Sequence, residues 1–130
     1  MLEGLIAILI FSFGILALVG LLGMSVKDTT NAKYRTDASL LAGEVIGQMW
    51  VGDKSNTALA ASFSDPAGAG YLAWKAKVIA TLPGITDAAP GANLPTIAIG
   101  ADNKVTVTVR WKAPGESGAH NYVAITRITG

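Results

Sequence analysis

The sequence predicts an α+β fold in which one long N-terminal helix packs on a three-stranded antiparallel sheet, with a short second helix. Three observations predict it. An apolar run opens the chain, an amphipathic helical pattern continues it without a proline, and the C-terminal part alternates apolar and polar residues with a period of two. At 130 residues the chain is long enough for one domain and too short for two independent cores.

The first element is an apolar helix of membrane length. Between Gly4 and Met24 the only polar side chain is Ser12, and this helix would span roughly 31 Å, about the hydrocarbon thickness of a bilayer. A cleavable signal peptide would have a basic flank, a shorter apolar core and a small-residue cleavage site, and none of these is present. A wholly buried helix is excluded because the remaining residues could not surround it. We therefore expect residues 1–25 to span a membrane or to lie in the core of an assembly.

The helix is predicted to continue as an amphipathic segment. Seven residues recur every three or four positions, with charged and polar residues between them. They are Val26, Thr30, Tyr34, Ala38, Leu41, Val45 and Met49. Nothing between Met24 and Tyr34 breaks a helix, so one continuous helix should reach about Val51 and end at Gly52. Such a helix is roughly 75 Å long, so half of it is expected to project as a stalk from a head domain of residues 26–130.

A loop and a short second helix should follow. Residues 55–70 are rich in Ala, Ser and Gly, and predict a loop with at most a short turn of helix. A helix is then predicted by the spacing of four apolar residues, Tyr71, Trp74, Val78 and Leu82. It should stop at Pro83-Gly84. Residues 85–95, which hold two prolines and Gly91, predict another loop.

The last part of the chain predicts three antiparallel strands. Apolar residues alternate with other residues at Ile97 and Ile99, and then at Val105, Val107, Val109 and Trp111. Residues 120–129 are rich in Val, Ile, Thr and Tyr and predict the third strand; residues 100–103 and 113–119 predict the turns. The apolar face of this sheet must be covered, and the long helix carries the only long apolar stripe. The predicted core residues are Tyr34, Leu41, Val45, Met49, Trp74, Val107, Val109 and Trp111.

Composition argues against an enzyme and against a nucleic-acid-binding protein. A net charge of +1 without a basic run gives no electrostatic footprint for nucleic acid. Zero cysteines exclude disulfides, thiol catalysis and zinc-thiolate sites. His120 is the only histidine, and we interpret it as a solvated residue at a strand start, because a triad or a metal site needs further partners. We predict no catalytic residue, no cofactor, no metal and no small-molecule substrate.

Two further patterns have a structural interpretation. The acidic residues of the predicted head are scattered singly, so no carboxylate pair is placed for acid–base catalysis. The three tryptophans could form an exposed binding platform, but a small helix-on-sheet core needs large apolar side chains. We therefore interpret all three as core residues: Trp50, Trp74 and Trp111.

Glu3 and the glycines of the apolar run are the candidate functional residues. A carboxylate beside a membrane-length segment is costly if carried into the bilayer, and such residues tend to be functional. The alternative is that Glu3 lies at the interface, near headgroups and the helix dipole. Glycines in a helix each cost roughly 1 kcal/mol relative to Ala, and ordinary enrichment in membrane helices is one interpretation of them. We interpret Gly4, Gly14, Gly20 and Gly23 as a packing face, together with a stretch between Gly14 and Gly23 that can loosen.

The N-terminal residues resemble a mature type IV pilin or pseudopilin: Met1-Leu2-Glu3, the apolar run to Gly23 and the amphipathic continuation. Glu3 would match the near-invariant glutamate of the family, normally the fifth mature residue. The leader, its cleavage glycine and two mature residues would then precede this sequence, and whether Met1 is the mature N-terminus stays open. The chain is most similar to PilV-like minor pilins, at Tyr34-Arg35, Ala38, Leu41-Ala42, Leu82-Pro83-Gly84 and Val107-Thr108-Val109-Arg110-Trp111.

The resemblance implies a pilin-like fold and a minor pilin, a structural subunit of a bacterial type IV pilus (fimbrium) or of its tip or priming complex. It implies a single-pass inner-membrane protein with its head in the periplasm, later found in a pilus at the cell surface and serving adhesion or motility. The implied partners are other major and minor pilins, contacted through the N-terminal helix, with Glu3 as the assembly residue. Many pilins close their C-terminal region with a disulfide, which this chain cannot form, and this argues against a major adhesive pilin.

Two alternatives stay open. One is a minor pseudopilin of type II secretion, and the other, of a different class, is a signal-anchored membrane protein with a small extracytoplasmic binding domain. Basic residues after the apolar run would by themselves direct the head to the cytoplasm: Lys27, Lys33 and Arg35. We adopt the opposite orientation from the resemblance, because Asp28 and Asp37 accompany those charges.

Overall fold

The computed structural model describes residues 1–87 and 92–129, and it confirms the predicted α+β fold. A long helix is followed by two short helices and a three-stranded antiparallel sheet. The elements are α1 (Leu2–Val51), α2 (Asn56–Phe63), α3 (Ala69–Thr81), β1 (Thr96–Ile99), β2 (Lys104–Trp111) and β3 (His120–Arg127). The part of the predicted 85–95 loop at residues 88–91 lies outside the described residues.

Helix α1 is one helix of 50 residues whose two halves differ in burial. Residues 2–29 are exposed on every side. Five residues farther along form a buried stripe, Ala38, Leu41, Ala42, Val45 and Met49. The helix ends where predicted, and Gly52 donates its N–H to Gln48 O at 3.2 Å. The chain divides within α1 into two compact units, Met1–Lys33 and Tyr34–Gly130.

Helix α2 lies where the sequence predicted a loop with at most a turn of helix. Ser55 caps it, since its side chain accepts the N–H of Ala58 at 3.3 Å. The segment NTALAASF is rich in alanine, the best helix former, and buries Leu59. The small polar residues that suggested a loop therefore include a helix cap.

The predicted second helix is α3, which buries Tyr71, Trp74 and Val78. It is followed by the Pro83-Gly84 stop, where Gly84 has φ +70°. A Cβ at Gly84 would lie 2.4 Å from Lys112 O, so only glycine fits there. The N–H of Lys112 bonds to Pro83 O at 3.0 Å and fixes this turn beside the end of β2.

The sheet has the strand order β1-β2-β3. Val107 in the central strand lies opposite Ile97 on one side and Ala124 on the other. The inward face of β2 is wholly buried and carries Val105, Val107, Val109 and Trp111. These side chains belong to the same hydrophobic cluster as the α1 stripe and the buried face of α3. The core of the Tyr34–Gly130 unit thus lies between helices and sheet.

Asn103 holds three segments together at the turn between β1 and β2. Its φ of +58° is a left-handed conformation that Asn tolerates better than most residues. Its Nδ2 donates to Lys54 O at 2.9 Å and to Ile128 O at 3.2 Å, while its Oδ1 accepts from Asn56 Nδ2 at 2.9 Å. The N–H of Ile128 returns to Asn103 O at 3.1 Å. One amide therefore joins the α1–α2 connection, the β-hairpin and the segment after β3.

Candidate functional site

The Met1–Lys33 unit is helix from Leu2 onward, with apolar side chains exposed around its whole circumference. Phe11, for example, is 69% exposed. The most apolar window of α1 has a mean hydropathy of 2.9, and the helix is long and apolar enough to cross a membrane. A continuous apolar surface of this kind is not stable in water and must meet lipid or other protein chains. This helix could therefore serve as a membrane anchor.

Glu3 lies in the first turn of α1 and is exposed. The helix dipole favours a carboxylate at this end. Within residues 1–87 and 92–129, no basic side chain forms an ion pair with Glu3. The next basic side chain along α1 is Lys27, roughly 36 Å away along the axis at 1.5 Å per residue. No basic side chain of α1 is therefore within pairing distance of Glu3.

The three candidate glycines lie on an unbroken stretch of α1 with open space beside them. A Cβ built at Gly14, Gly20 or Gly23 meets no atom within 4 Å. At about 100° per residue, Gly20 and Gly23 lie about 60° apart around the helix, whereas Gly14 lies about 180° from Gly23. A straight helix therefore does not bring all three to one packing face. Loosening of this stretch in an assembled state stays a prediction.

The predicted core residues come together in the Tyr34–Gly130 unit. Seven of the eight are buried members of one cluster, and Tyr34 is half-buried against it. Trp74 also joins two helices, because its Nε1 donates to Leu41 O at 2.8 Å, and Lys77 of α3 pairs with Glu44 of α1. These contacts attach the second half of α1 to the rest of this unit.

The interpretation of Trp50 as a core residue was wrong, since its side chain is 39% exposed. Successive helix residues point about 100° apart. Trp50 follows the buried Met49 by one position and so lies off the buried stripe. Lys54 Nζ lies 5.4 Å from the centroid of its ring, a cation–π distance that Lys54 reaches from just beyond the helix end.

His120 begins β3 as expected but is held more closely than the sequence suggested. Its Nε2 lies 2.5 Å from Glu116 Oε2, and its ring stacks on that of Trp111 with centroids 5.8 Å apart. Trp111 is its partner in the β2–β3 register. Sequence reasoning missed Glu116, because its position in a long turn gives no helical or strand pattern to relate it to His120. The contacts of His120 with Glu116 and Trp111 stabilise the hairpin of β2 and β3.

Local contacts and burial shift the pKa of three groups in the head, Asp53, Tyr71 and Asp102. The N–H of Lys104 and the Arg127 guanidinium lower the pKa of Asp102, and the N–H of Ser55 lowers that of Asp53. Burial, with a further contribution from Asp65, raises the pKa of Tyr71, whose hydroxyl donates to Pro95 O at 2.7 Å. Among the described residues, no group of three His, Asp or Glu side chains is placed to hold a metal ion.

The candidate functional residues thus lie in the apolar half of α1, where Glu3 is the one acidic side chain before Asp28. This half presents a large unpaired apolar surface with a charge at its start. Comparison with protein-family models, with curated proteins and with solved structures finds no match for the chain.

Proposed function

We propose that this chain is a minor pilin, a structural subunit of a type IV pilus or of its tip or priming complex. The observation that carries the proposal is the construction of α1. Its first half is an exposed apolar helix with Glu3 in the first turn, and its second half supplies a buried stripe to the core of a small α+β head. One helix thereby combines an anchor with a part of the folded head.

The apolar half of α1 suits a subunit that exchanges lipid for neighbouring chains. In a bilayer its backbone bonds are satisfied within the helix and its side chains contact lipid. In a filament the same side chains would pack against the helices of other pilins, its proposed partners. Glu3 would then leave the headgroup region and require a positive group, because an unpaired carboxylate among apolar helices is costly. The N-terminal resemblance to pilins supports this assignment.

The proposed route begins in the bacterial inner membrane. The helix crosses it once, with its N-terminus in the cytoplasm and the head in the periplasm, and assembly moves the chain into a pilus at the cell surface. Its proposed role is structural, in adhesion or motility, without catalysis, cofactor or nucleic acid. The resemblance and the apolar N-terminal helix support this location.

The proposal is tested by locating the chain in piliated cells of its own host. Because the chain has no cysteine, Asn121→Cys on the exposed face of β3 supplies a single thiol. We expect a membrane-impermeant maleimide to label it in intact spheroplasts, and the chain to occur in both the inner membrane and the sheared pilus fraction. A signal-anchored binding protein would stay in the membrane fraction. Absence from pili, with normal pilus number after gene deletion, would refute the proposal, and co-fractionation with secretion pseudopilins would favour the type II alternative.

Replacing Gly14, Gly20 and Gly23 together by Ala should strengthen the membrane helix and hinder assembly. The new methyl groups meet no atom within 4 Å in the single chain, and each substitution favours the helix by roughly 1 kcal/mol. Hydrogen exchange in detergent should slow in this stretch, and pilus incorporation should fall.

Gly43 and Gly47 provide the control for this triple variant, since they lie in the same helix and also have open space beside them. Their replacement by Ala should leave incorporation unchanged. If the triple variant assembled normally and the assembled helix were unbroken through residues 14–23, the glycines would be ordinary membrane-helix residues.

A further inference from the structure

The two edge strands of the sheet, β1 and β3, differ in whether their outward backbone groups are hydrogen-bonded. At the β1 edge, Asp65 occupies both backbone groups of Ile97: its N–H donates to Ile97 O at 3.3 Å, and its Oδ2 accepts the N–H of Ile97 at 3.2 Å. Pro95, which has no N–H to offer, comes just before this strand. The β1 edge is thus capped by the connection between α2 and α3. The β3 edge has no such cap in the part of the chain that the structure describes.

The register shows which backbone groups face the open edge. The N–H of Gly100 bonds to Lys104 O at 2.9 Å. The backbone N–H and C=O groups of the even-numbered residues of β2 therefore point toward β1. The odd-numbered residues of β2 therefore bond to β3, and they lie opposite its even-numbered residues. The bond from Ile128 N to Asn103 O fits the same alternation. The backbone N–H and C=O groups of β3 that do not bond to β2 belong to the odd-numbered residues Asn121, Val123, Ile125 and Arg127.

The same residues form the outward row of side chains on β3. Val123 is 48% exposed and Ile125 is 61% exposed, while the alternate residues turn toward the core. Natural edge strands are protected by prolines, inward charges, bulges or short length. β3 is eight residues long, contains neither Pro nor Lys, and pairs with β2 without a break in register. β3 is therefore an unprotected edge strand, which can pair with another strand.

We propose that β3 pairs antiparallel with β3 of a second copy of this chain, with Ala124 opposite itself. This register places Val123 opposite Ile125 and Asn121 opposite Arg127, twice each by symmetry. β-branched residues face each other at the centre, and no two like charges are opposed. All four outward residues then lie in hydrogen-bonded pairs, and residues 121–127 of the two strands overlap over about 24 Å at 3.4 Å per residue.

The outward row of β3 is compatible with its own reverse, and for this reason we assign a second copy as the partner. Its outward row reads polar, apolar, apolar, basic, and reversal of the row places an uncharged Asn against the basic Arg127. Asp102, bonded to the Arg127 guanidinium, supplies a counter-charge for Arg127 at each end of the paired strands. The contact lies wholly within the Tyr34–Gly130 unit. It does not depend on Glu3, on the apolar half of α1 or on the proposed pilus function.

The test is disulfide trapping in the purified full chain, in detergent with micelles in excess. The chain has no cysteine, so each variant has one thiol. Ala124→Cys would lie in a non-hydrogen-bonded pair with Cα atoms about 4.5 Å apart, within disulfide reach. We expect it to form a covalent dimer, and we expect none from Thr108→Cys on the central strand. A mixture of Val123→Cys and Ile125→Cys should cross-link more than either variant alone.

Two further variants test whether the open edge is required. Val123→Pro removes an N–H that is not bonded to β2. Ile125→Lys places a charge opposite Val123 of the other copy. In the Ala124→Cys background, each of these variants should abolish formation of the disulfide-linked dimer. Val123→Thr keeps the N–H and the β-branched shape and should preserve it. Circular dichroism of each variant shows whether the head is folded. Equal cross-linking of Ala124→Cys and Thr108→Cys, or trapping that survives in a folded Ile125→Lys variant, would overturn the proposal.

Discussion

A chain beginning at Lys27 should be soluble without detergent and fully folded, whereas the full chain should require detergent or lipid. The removed segment, residues 1–26, is exposed throughout and contributes no member of the described hydrophobic core, which lies in the Tyr34–Gly130 unit. Asp28 in the first turn of the shortened helix offsets the unfavourable charge of Lys27 at the positive end of the dipole. Circular dichroism and a cooperative thermal transition would measure folding, and ultracentrifugation would measure solubility.

A second truncation beginning at Ala42 is the matched control. It removes Tyr34, Ala38 and Leu41 from the α1 side of the core. Full burial of a large apolar side chain stabilises by about 1.5–3 kcal/mol, and small domains have only about 5–15 kcal/mol in total. This control should therefore unfold or lose its cooperative transition. If the chain beginning at Lys27 were unfolded as well, the division of α1 between anchor and core would be wrong.

If the chain is a minor pilin as proposed, Glu3→Gln should leave membrane insertion intact and reduce incorporation into pili by about tenfold or more, because a neutral amide cannot replace the carboxylate in the proposed pairing with a positive group among apolar helices. Insertion should be unaffected, since the amide is cheaper than a carboxylate to place near lipid. Quantitative immunoblots of membrane and sheared pilus fractions separate the two effects.

Glu3→Asp is the matched variant, because it keeps the charge and shortens the side chain by one methylene group. We expect it to assemble better than Glu3→Gln at equal membrane abundance. Wild-type incorporation of Glu3→Gln would mean that Glu3 is an interfacial residue without an assembly role. That outcome would leave the anchor itself and the fold of the head untouched.

The sequence was sufficient for the elements whose residues repeat with a clear period. The end of α1 at Val51, the burial of α3 and the alternation along β2 all follow from local patterns that neighbouring structure reinforces. Helix α2 was missed because its signal is a Ser55 cap and a run of alanine, both of which also occur in loops. Trp50 was misplaced because one position decides whether a helix residue faces the core.

Contacts between distant segments could not be predicted in the same way. Asp65 caps Ile97 across 32 positions, and Asn103 bonds to Lys54 across 49. Such hydrogen bonds depend on how finished elements pack, and Asp or Asn in a turn has the same local signature with or without a distant partner. The candidate assembly residue Glu3 is the opposite case, since a single carboxylate at the start of a long apolar run is visible in the sequence itself.

Asn103 fixes the segment after β3 to the rest of the head by hydrogen bonds, which need no oxidant to form. Its amide holds Lys54 O and Ile128 O in a chain without cysteine. A disulfide in this place would form only where thiols are oxidised, and reductants would break it. Amide hydrogen bonds form wherever the chain folds. The head can therefore reach the same structure in a reducing or an oxidising compartment.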